Sequence, residues 1–109
     1  MNNCCTETER NGSCYQELKK GKFDDKFWSE DSLFLYDDYV DDLQLYELII
    51  EVVPTYDRYG ITEVNKEQWQ KMCIVAEKIG GETKAVIDEI NIWARENFET
   101  ESIFTILGV

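Results

Sequence analysis

One segment of the sequence carries helix signals at both of its ends. Asn65, followed three residues later by Gln68, matches a capping box, in which each side chain accepts a hydrogen bond from the other residue's backbone N–H. Gly80 and Gly81 suit the left-handed C-terminal cap of a helix. Apolar residues recur between these signals at spacings of three and four: Trp69, Met72, Cys73, Ala76 and Ile79. The pattern predicts one amphipathic helix between residues 65 and 80.

A second apolar stripe with helical spacing precedes Pro54, which terminates a regular helix or strand. Its members are Tyr36, Tyr39, Val40, Leu43, Tyr46, Ile50 and Val53. The opposite arc is acidic in the first turns, where the helix dipole favours carboxylates, and it becomes apolar from Leu45 onward. We expect a helix that begins with one wet acidic face and ends buried nearly all round. Because residues 48–53 are rich in branched side chains, a buried strand over 45–53 is the alternative.

The remaining segments complete the predicted fold. Residues 83–98 have an inward apolar stripe and predict a third helix, and residues 102–109 are apolar and predict an extended segment docked on the core. Residues 1–22 are polar, with breakers at Asn11, Gly12 and Gly21, and predict a flexible leader with a short helical piece near 15–20. The prediction is a mainly α fold, a compact bundle of three to four helices over 23–109 with a short extended C-terminal segment. An α+β fold is the alternative if 45–53 is a strand.

Charge excludes several classes of function. The 109 residues contain 11 Lys and Arg, 23 Asp and Glu and no His, which gives a formal net charge of −12. Affinity for nucleic acid depends on Lys and Arg contacts with phosphates, and the same cations attract proteins to anionic lipid, so we expect neither partner. Without imidazole the commonest general base and metal ligand are both missing. We therefore predict a protein that is not an enzyme.

The four cysteines and the N-terminal sequence bear on metal binding and location. There is no C-x-x-C pair and no His to complete a zinc site, so we predict thiols, with Cys73 buried in a helix, and no metal or cofactor. The first ten residues lack a basic cluster followed by an apolar run, which predicts a cytoplasmic protein. Residues 43–53, the longest dense apolar stretch, are interrupted by Gln44, Glu47 and Glu51 and are too short to span a membrane.

The string DDYVDD at residues 37–42 resembles two catalytic motifs. The D-D-x-x-D pattern is similar to the magnesium-binding motif of isoprenyl diphosphate synthases, which also need a second Asp-rich segment and a much larger helical bundle. Tyr39, Val40, Asp41 and Asp42 resemble the hairpin of reverse transcriptases, which requires a polymerase palm and a basic template channel. This short acidic chain has none of these features, so the string does not predict catalysis.

The acidity is concentrated in one third of the chain. Residues 24–57 carry eleven acidic side chains and one basic side chain, Lys26. Aromatic residues are interleaved with these acids, and aromatic anchors beside fixed charge are typical of protein interfaces that are steered electrostatically. The sequence predicts a partner-binding surface made of Asp24, Asp25, Glu30, Asp31, Asp37, Asp38, Tyr39, Asp41, Asp42, Tyr56, Asp57 and Tyr59.

The acid cluster, the tryptophan-bearing helices and the terminal hexapeptide FTILGV at 104–109 resemble one class of proteins. They are similar to the small immunity proteins of bacterial polymorphic toxin and contact-dependent growth inhibition systems. The resemblance implies a protein that binds and neutralises the C-terminal toxin domain of a cognate effector, often a nuclease with a basic active-site cleft. Two alternatives remain open: a nucleic-acid mimic that inhibits a basic protein, and a small regulatory adaptor that contacts partners through Trp28 and the Tyr-rich loop at 55–64.

Overall fold

The computed structural model describes residues 4–6, 8–9, 12 and 14–108, and its architecture is α+β. The strands are β1 (Cys4–Cys5), β2 (Tyr15–Lys20), β3 (Leu33–Tyr36), β4 (Ile61–Asn65) and β5 (Ile103–Leu107). The helices are α1 (Asp38–Asp42), α2 (Leu45–Val52), α3 (Lys66–Ile79) and α4 (Gly81–Phe98). The predicted mainly α bundle is wrong, because these strands form one five-stranded sheet beside the four helices. The alternative named the right class for the wrong reason, since residues 45–52 are helical.

The sheet is antiparallel, in the order β1-β3-β2-β5-β4. The apolar C-terminal segment is extended, as predicted, but it lies between β2 and β4 as strand β5 instead of along the helices. Pairing on both edges gives its backbone N–H and C=O groups partners inside the fold, which a lone extended segment on helices would lack. Residue 109 lies outside the described residues.

Strand β2 lies within the segment predicted as a leader. Its sequence YQELKK has no apolar alternation, yet it is paired with β3 on one side and β5 on the other. Four of its six residues are buried, including the charged Glu17 and Lys19. The leader prediction over 1–22 therefore does not describe residues 15–20, and residues 1–3, 7, 10–11 and 13 lie outside the described residues.

The predicted single helix over 36–53 is wrong, because Tyr36 ends β3 and the rest forms two helices, α1 and α2, separated by Leu43 and Gln44. Gln44 has a φ of 56°, the left-handed conformation, which no residue inside a helix adopts. The break comes where the apolar arc changes in the sequence, just before Leu45. Helix α1 buries Val40, and α2 buries Leu45, Leu48 and Ile49, so the two halves present different faces to the core.

The predicted helix between Asn65 and Gly80 is confirmed as α3. The side chain of Asn65 accepts from the Gln68 N–H at 2.8 Å, and the side chain of Gln68 accepts from the Asn65 N–H at 2.9 Å. Gly80 has a φ of 72° and ends the helix. The third predicted helix is α4, and it begins two residues earlier than predicted, at Gly81.

The core lies between one face of the sheet and the helices. Phe104 of β5 is fully buried there, and its ring contacts three aromatic rings at centroid distances of 5.4 to 5.8 Å: Trp69, Trp93 and Phe98. Edge-to-face and tilted pairs of this kind add to the stabilisation that burial itself gives. In the part of the chain that the structure describes, no helix has the combination of length and apolar character needed to cross a membrane.

The opposite face of the sheet is partly covered by residues 21–32, which we call the covering loop. Trp28 stacks on Phe34 of β3 with ring centroids 5.5 Å apart. Glu17 and Lys19 of β2 face the covering loop and are buried under it. The sheet therefore has an apolar face toward the helices and a mixed face, with Glu17 and Lys19 beside Phe34, that the covering loop partly covers.

Candidate functional site

The acids of residues 24–57 are predominantly on the surface. Ten of the eleven carboxylates are exposed, and Asp37 is half-buried. The ten are Asp24, Asp25, Glu30, Asp31, Asp38, Asp41, Asp42, Glu47, Glu51 and Asp57. They are spread over the covering loop, α1, α2 and the turn before β4, so the linear cluster is divided among four parts of the fold.

Arg58 neutralises part of this surface. Its Nη1 donates to Asp41 Oδ1 at 2.7 Å, and its Nη2 donates to Asp37 Oδ2 at 3.1 Å and to the Asp37 main-chain oxygen at 3.1 Å. These hydrogen bonds, first to Asp41 and then to Asp37, raise the pKa of Arg58 above its ordinary value, and the bond to Arg58 lowers the pKa of Asp41. Arg58 stands one residue beyond the segment in which the sequence concentrates its acids, so counting charge by segment leaves it out.

Asp37 and Tyr56 belong to a polar network that extends into the core. Gln16 of β2 donates through Nε2 to Asp37 Oδ1 at 2.8 Å and to the Arg58 main-chain oxygen at 3.0 Å. The Tyr56 hydroxyl donates to Gln16 Oε1 at 3.1 Å, and burial raises the pKa of Tyr56. Tyr56 is only 5% exposed. The prediction that it contacts a partner is therefore corrected, because its ring fills the core and its hydroxyl satisfies a buried amide.

The turn that follows Tyr56 presents a different aromatic residue. The side chain of Asp57 accepts a hydrogen bond from the Tyr59 N–H at 3.0 Å, and its own N–H donates to Thr62 Oγ1 at 3.0 Å. Tyr59 is 71% exposed, and the Arg58 guanidinium lies 5.9 Å from its ring centroid. Tyr39 of α1 is half-buried and packs edge-on against Tyr36 at 5.7 Å. Tyr59 is thus the predicted aromatic residue with the most accessible ring.

In the covering loop, Asp24 Oδ1 lies 3.2 Å from the buried ammonium group of Lys19. Asp25 has a φ of 67°, and both of these acids are exposed. Glu30 and Asp31 are exposed near the end of the loop, where the Asp31 main-chain oxygen accepts from Trp93 Nε1 at 2.8 Å. The structure therefore places these four predicted site residues on one loop that is tied to the sheet and to α4.

Of the ten exposed acids of residues 24–57, eight form no ion pair with a described residue: Asp25, Glu30, Asp31, Asp38, Asp42, Glu47, Glu51 and Asp57. Asp38 and Asp42 are four residues apart on α1, and Glu47 and Glu51 are four residues apart on α2, so each pair shares a helix face. Glu47 and Glu51 were missing from the predicted site. Their i, i+4 spacing opposite the buried Leu45, Leu48 and Ile49 is a signal that identifies them as a solvent face.

The helices α3 and α4 carry a balanced surface by comparison. Helix α3 has three basic and two acidic side chains, and α4 has two basic and four acidic ones. Some of them pair within a helix, as Lys84 and Asp88 do at 2.6 Å. The excess of negative charge is therefore concentrated in residues 24–57, although single exposed acids elsewhere, such as Glu77 and Glu99, also form no ion pair among the described residues.

The groups that could support chemistry are few. Within the described residues, no three His, Cys, Asp or Glu side chains are grouped so that they could hold a metal ion. Burial raises the pKa of the Cys4 and Cys73 thiols, and Cys73 Sγ lies 3.9 Å from Asn91 Oδ1 on a helix face. Because the thiolate is the reactive form, a raised pKa makes each of these thiols a poor nucleophile at neutral pH.

Comparisons of the chain with models of known protein families, with curated proteins and with solved structures give no match.

Proposed function

We propose that this protein is a non-enzymatic inhibitor that binds a basic protein through the acidic surface of the covering loop, α1, α2 and the turn at 57–60. The partner that fits the resemblance is the C-terminal toxin domain of a cognate bacterial effector, a nuclease whose active-site cleft binds phosphates through Lys and Arg. The acidic surface would occupy that cleft and exclude the substrate.

The observation that carries the proposal is the density of acids in residues 24–57, where eight exposed carboxylates form no ion pair with a described residue. Like charges crowded in this way repel one another and lower the stability of the folded state. A basic partner removes that repulsion on binding and is attracted over a distance of about one Debye length, roughly 8 Å at physiological salt. Complementary charge of this kind speeds association and excludes wrong partners.

The regulatory adaptor that uses Trp28 and the Tyr-rich loop has less support in the structure. Trp28 is half-buried against Phe34. The loop at 55–64 has two tyrosines, of which Tyr56 is in the core and Tyr59 is accessible. The nucleic-acid mimic shares the acidic surface with our proposal and differs in its breadth. A mimic binds several unrelated basic proteins, whereas an immunity protein binds its cognate toxin domain.

The test measures binding to the C-terminal domain encoded immediately upstream of this chain's gene, in a catalytically inactive form. Isothermal titration calorimetry at about 50 and 500 mM NaCl compares the wild type with the double variant Asp38→Lys/Asp42→Lys. We expect the variant to bind about tenfold or more weakly at low salt and to show a smaller loss with added salt, since two carboxylates become cations. Asp37 and Asp41 are left unchanged because they hold Arg58.

The control is Glu77→Lys/Glu99→Lys, which makes the same change in net charge on exposed residues in the region of α3 and α4. We expect it to bind within about threefold of the wild type, because screening limits the effect of distant charge. Absence of binding by the wild type, or equal weakening by both double variants, contradicts the proposal. Comparable affinity for an unrelated basic nuclease favours the mimic.

A further inference from the structure

The covering loop is held by an unusual concentration of buried polar groups. The Glu17 carboxylate accepts from the Trp28 N–H at 2.8 Å, the Ser29 N–H at 3.1 Å and the Ser32 hydroxyl at 2.7 Å. Lys19 Nζ donates to the Ser29 hydroxyl and pairs with Asp24. Glu17 is 2% and Lys19 is 5% exposed. A buried charge is costly unless its hydrogen bonds are satisfied, and here the covering loop satisfies them.

The ends of the covering loop are fixed in the same way. The Gly21 N–H donates to Asn97 Oδ1 at 3.0 Å, and the Thr105 hydroxyl donates to the Gly21 main-chain oxygen at 2.8 Å. At the other end, Trp93 binds the main chain of Asp31. Asn97 and Thr105 are fully buried. The loop is thus attached at its start, middle and end by side chains of β2, β5 and α4, and it has few ways to move independently of the sheet.

The backbone between these attachments is strained. Asp25 and Trp28 have φ values of 67° and 59°, in the left-handed region. A bulky non-glycine residue such as Trp28 rarely adopts this region, and it persists only where surrounding contacts enforce it. The hydrogen bond from the Trp28 N–H to Glu17 and the stacking of its ring on Phe34 provide those contacts.

One of the two residues between the strained positions is an exposed aromatic. Phe27 is 57% exposed, and its ring contacts Phe23 edge-on at a centroid distance of 5.1 Å. Exposed carboxylates of Asp25, Glu30 and Asp31 lie on the same loop, together with the cations Lys22 and Lys26. Aromatic side chains, Phe included, are enriched at the centre of protein interfaces, and polar side chains surround them at the rim.

We propose that the covering loop contacts the partner directly, with Phe27 as its aromatic anchor and Glu17 as the residue that holds the loop in its binding conformation. The partner that it fits is a protein with an apolar pocket bordered by Lys or Arg. A loop fixed before binding loses little conformational freedom when it is occupied, and this raises affinity. The inference rests on the proposed function and goes beyond it, because it names a contact residue, Phe27, and the residue that positions its loop, Glu17.

The first experiment measures binding of Phe27→Ala to the same upstream-encoded toxin domain. We expect its Kd to rise about tenfold or more while the salt dependence of binding stays as in the wild type, because no charge has changed. The matched control is Ile74→Ala on α3, where Ile74 is 58% exposed and lies outside the acidic surface. We expect the control to bind as the wild type does.

The second experiment tests the fixed loop without any partner. Lys22 and Lys26, both exposed in the covering loop, are potential trypsin cleavage sites. Lys78, near the end of α3, is a third site and serves as an internal reference. We expect the wild type to resist cleavage in the loop and Glu17→Gln to be cleaved there about tenfold faster, with the rate at Lys78 unchanged. An unchanged rate at Lys78 shows that the variant is folded.

Two results overturn the inference while the proposed function stands: wild-type affinity of Phe27→Ala alongside weakened binding of Asp38→Lys/Asp42→Lys, or rapid cleavage of the wild-type loop. If the wild type does not bind the toxin domain at all, the proposed function and the inference both fail.

Discussion

Arg58 shows how one side chain changes the role of the acids around it. Its guanidinium bonds to Asp37 and Asp41, and its main-chain oxygen accepts from Gln16, so α1, β2 and the turn at 57–60 are joined at one residue. Two of the carboxylates predicted to contact a partner thus have a structural partner already. Tyr56 completes the same network from inside the core. The sequence shows where these acids and this tyrosine lie along the chain. Which of them pair with one another depends on the contact between Arg58 and α1, which forms only in the folded protein.

At this scale we predict a pH dependence of stability for the Arg58 ion pair. The pKa of Asp41 lies below its ordinary value of 3.8 because Arg58 donates to it. A lowered pKa contributes stability above the unfolded pKa, and this contribution is lost as pH falls through the folded pKa. Asp41→Asn should therefore lower the melting temperature at pH 7 and lower it by less near pH 2. The contribution is modest, since the Asp41 carboxylate is exposed to solvent.

The control for this prediction is Asp42→Asn, which removes an exposed carboxylate that has no ion pair among the described residues. It should not lower the melting temperature at pH 7. Thermal unfolding followed by circular dichroism at the two pH values measures both variants. A melting temperature of Asp41→Asn equal to that of the wild type at pH 7 would show that the ion pair does not stabilise the fold.

The helices were easier to predict from the sequence than the strands. Helix α3 has its capping box, its apolar stripe and its glycine end within one local segment, and each signal acts over three or four residues. The break between α1 and α2 depends instead on Gln44, which has no helix-breaking side chain. Strand β2 is still harder to recognise, because its buried Glu17 and Lys19 become acceptable only under the covering loop.

The break at Gln44 can be tested by substitution with glycine. A left-handed φ of 56° costs a non-glycine residue about 1–2 kcal/mol, whereas glycine adopts it freely. After the greater flexibility of the unfolded chain is deducted, Gln44→Gly should stabilise the protein by about 0.5 kcal/mol. In one continuous helix the same change would destabilise it by about 1 kcal/mol. Urea denaturation distinguishes the two signs.

Gln70→Gly is the matched control for this experiment, because Gln70 is an exposed glutamine inside α3. It should destabilise the protein by about 1 kcal/mol, the usual cost of glycine within a helix. If Gln44→Gly destabilises the protein as much as Gln70→Gly does, then Gln44 has a helical conformation. That result would contradict a break between α1 and α2 at this residue.

For the whole molecule, the charge of −12 is unevenly distributed over the surface. Within residues 24–57, eight exposed acids without ion pairs to described residues lie on the covering loop, α1, α2 and the turn at 57–60, while α3 and α4 carry nearly balanced charge. Self-repulsion within the acidic surface lowers stability, and a function that needs this surface maintains it against that cost.

We predict that Asp42→Lys stabilises the fold at low salt. Asp42 is the last residue of α1, where the helix dipole disfavours a carboxylate, and it lies within the acidic surface. The melting temperature should rise by about 2–4 °C in roughly 50 mM NaCl, and the gain should shrink in about 0.5 M NaCl because salt screens the repulsion. Glu77→Lys is the control, since Glu77 also lies in the last turn of a helix, α3.

The control should give a smaller gain, because Glu77 has Lys78 beside it and lies on a balanced surface. Differential scanning calorimetry of both variants at the two salt concentrations provides the measurement. Equal gains for the two variants would mean that the destabilising repulsion is a property of the total charge and not of the acidic surface.

The sequence by itself determined the features that depend on near neighbours: the caps of α3, the apolar faces of α3 and α4, and the extended form of the C-terminal segment. The tertiary structure decided the rest, because hydrogen bonds between strands and ion pairs join residues far apart in the chain. In the folded protein β2 pairs with β3 and β5, and β5 pairs with β2 and β4. Tyr56 is buried in the core, and Asp37 and Asp41 form ion pairs with Arg58. The local sequence of a polar strand such as β2 does not show whether other strands will pair with it or whether a loop will cover it. Those contacts determine whether its buried charged groups have hydrogen-bond partners, without which their burial is costly.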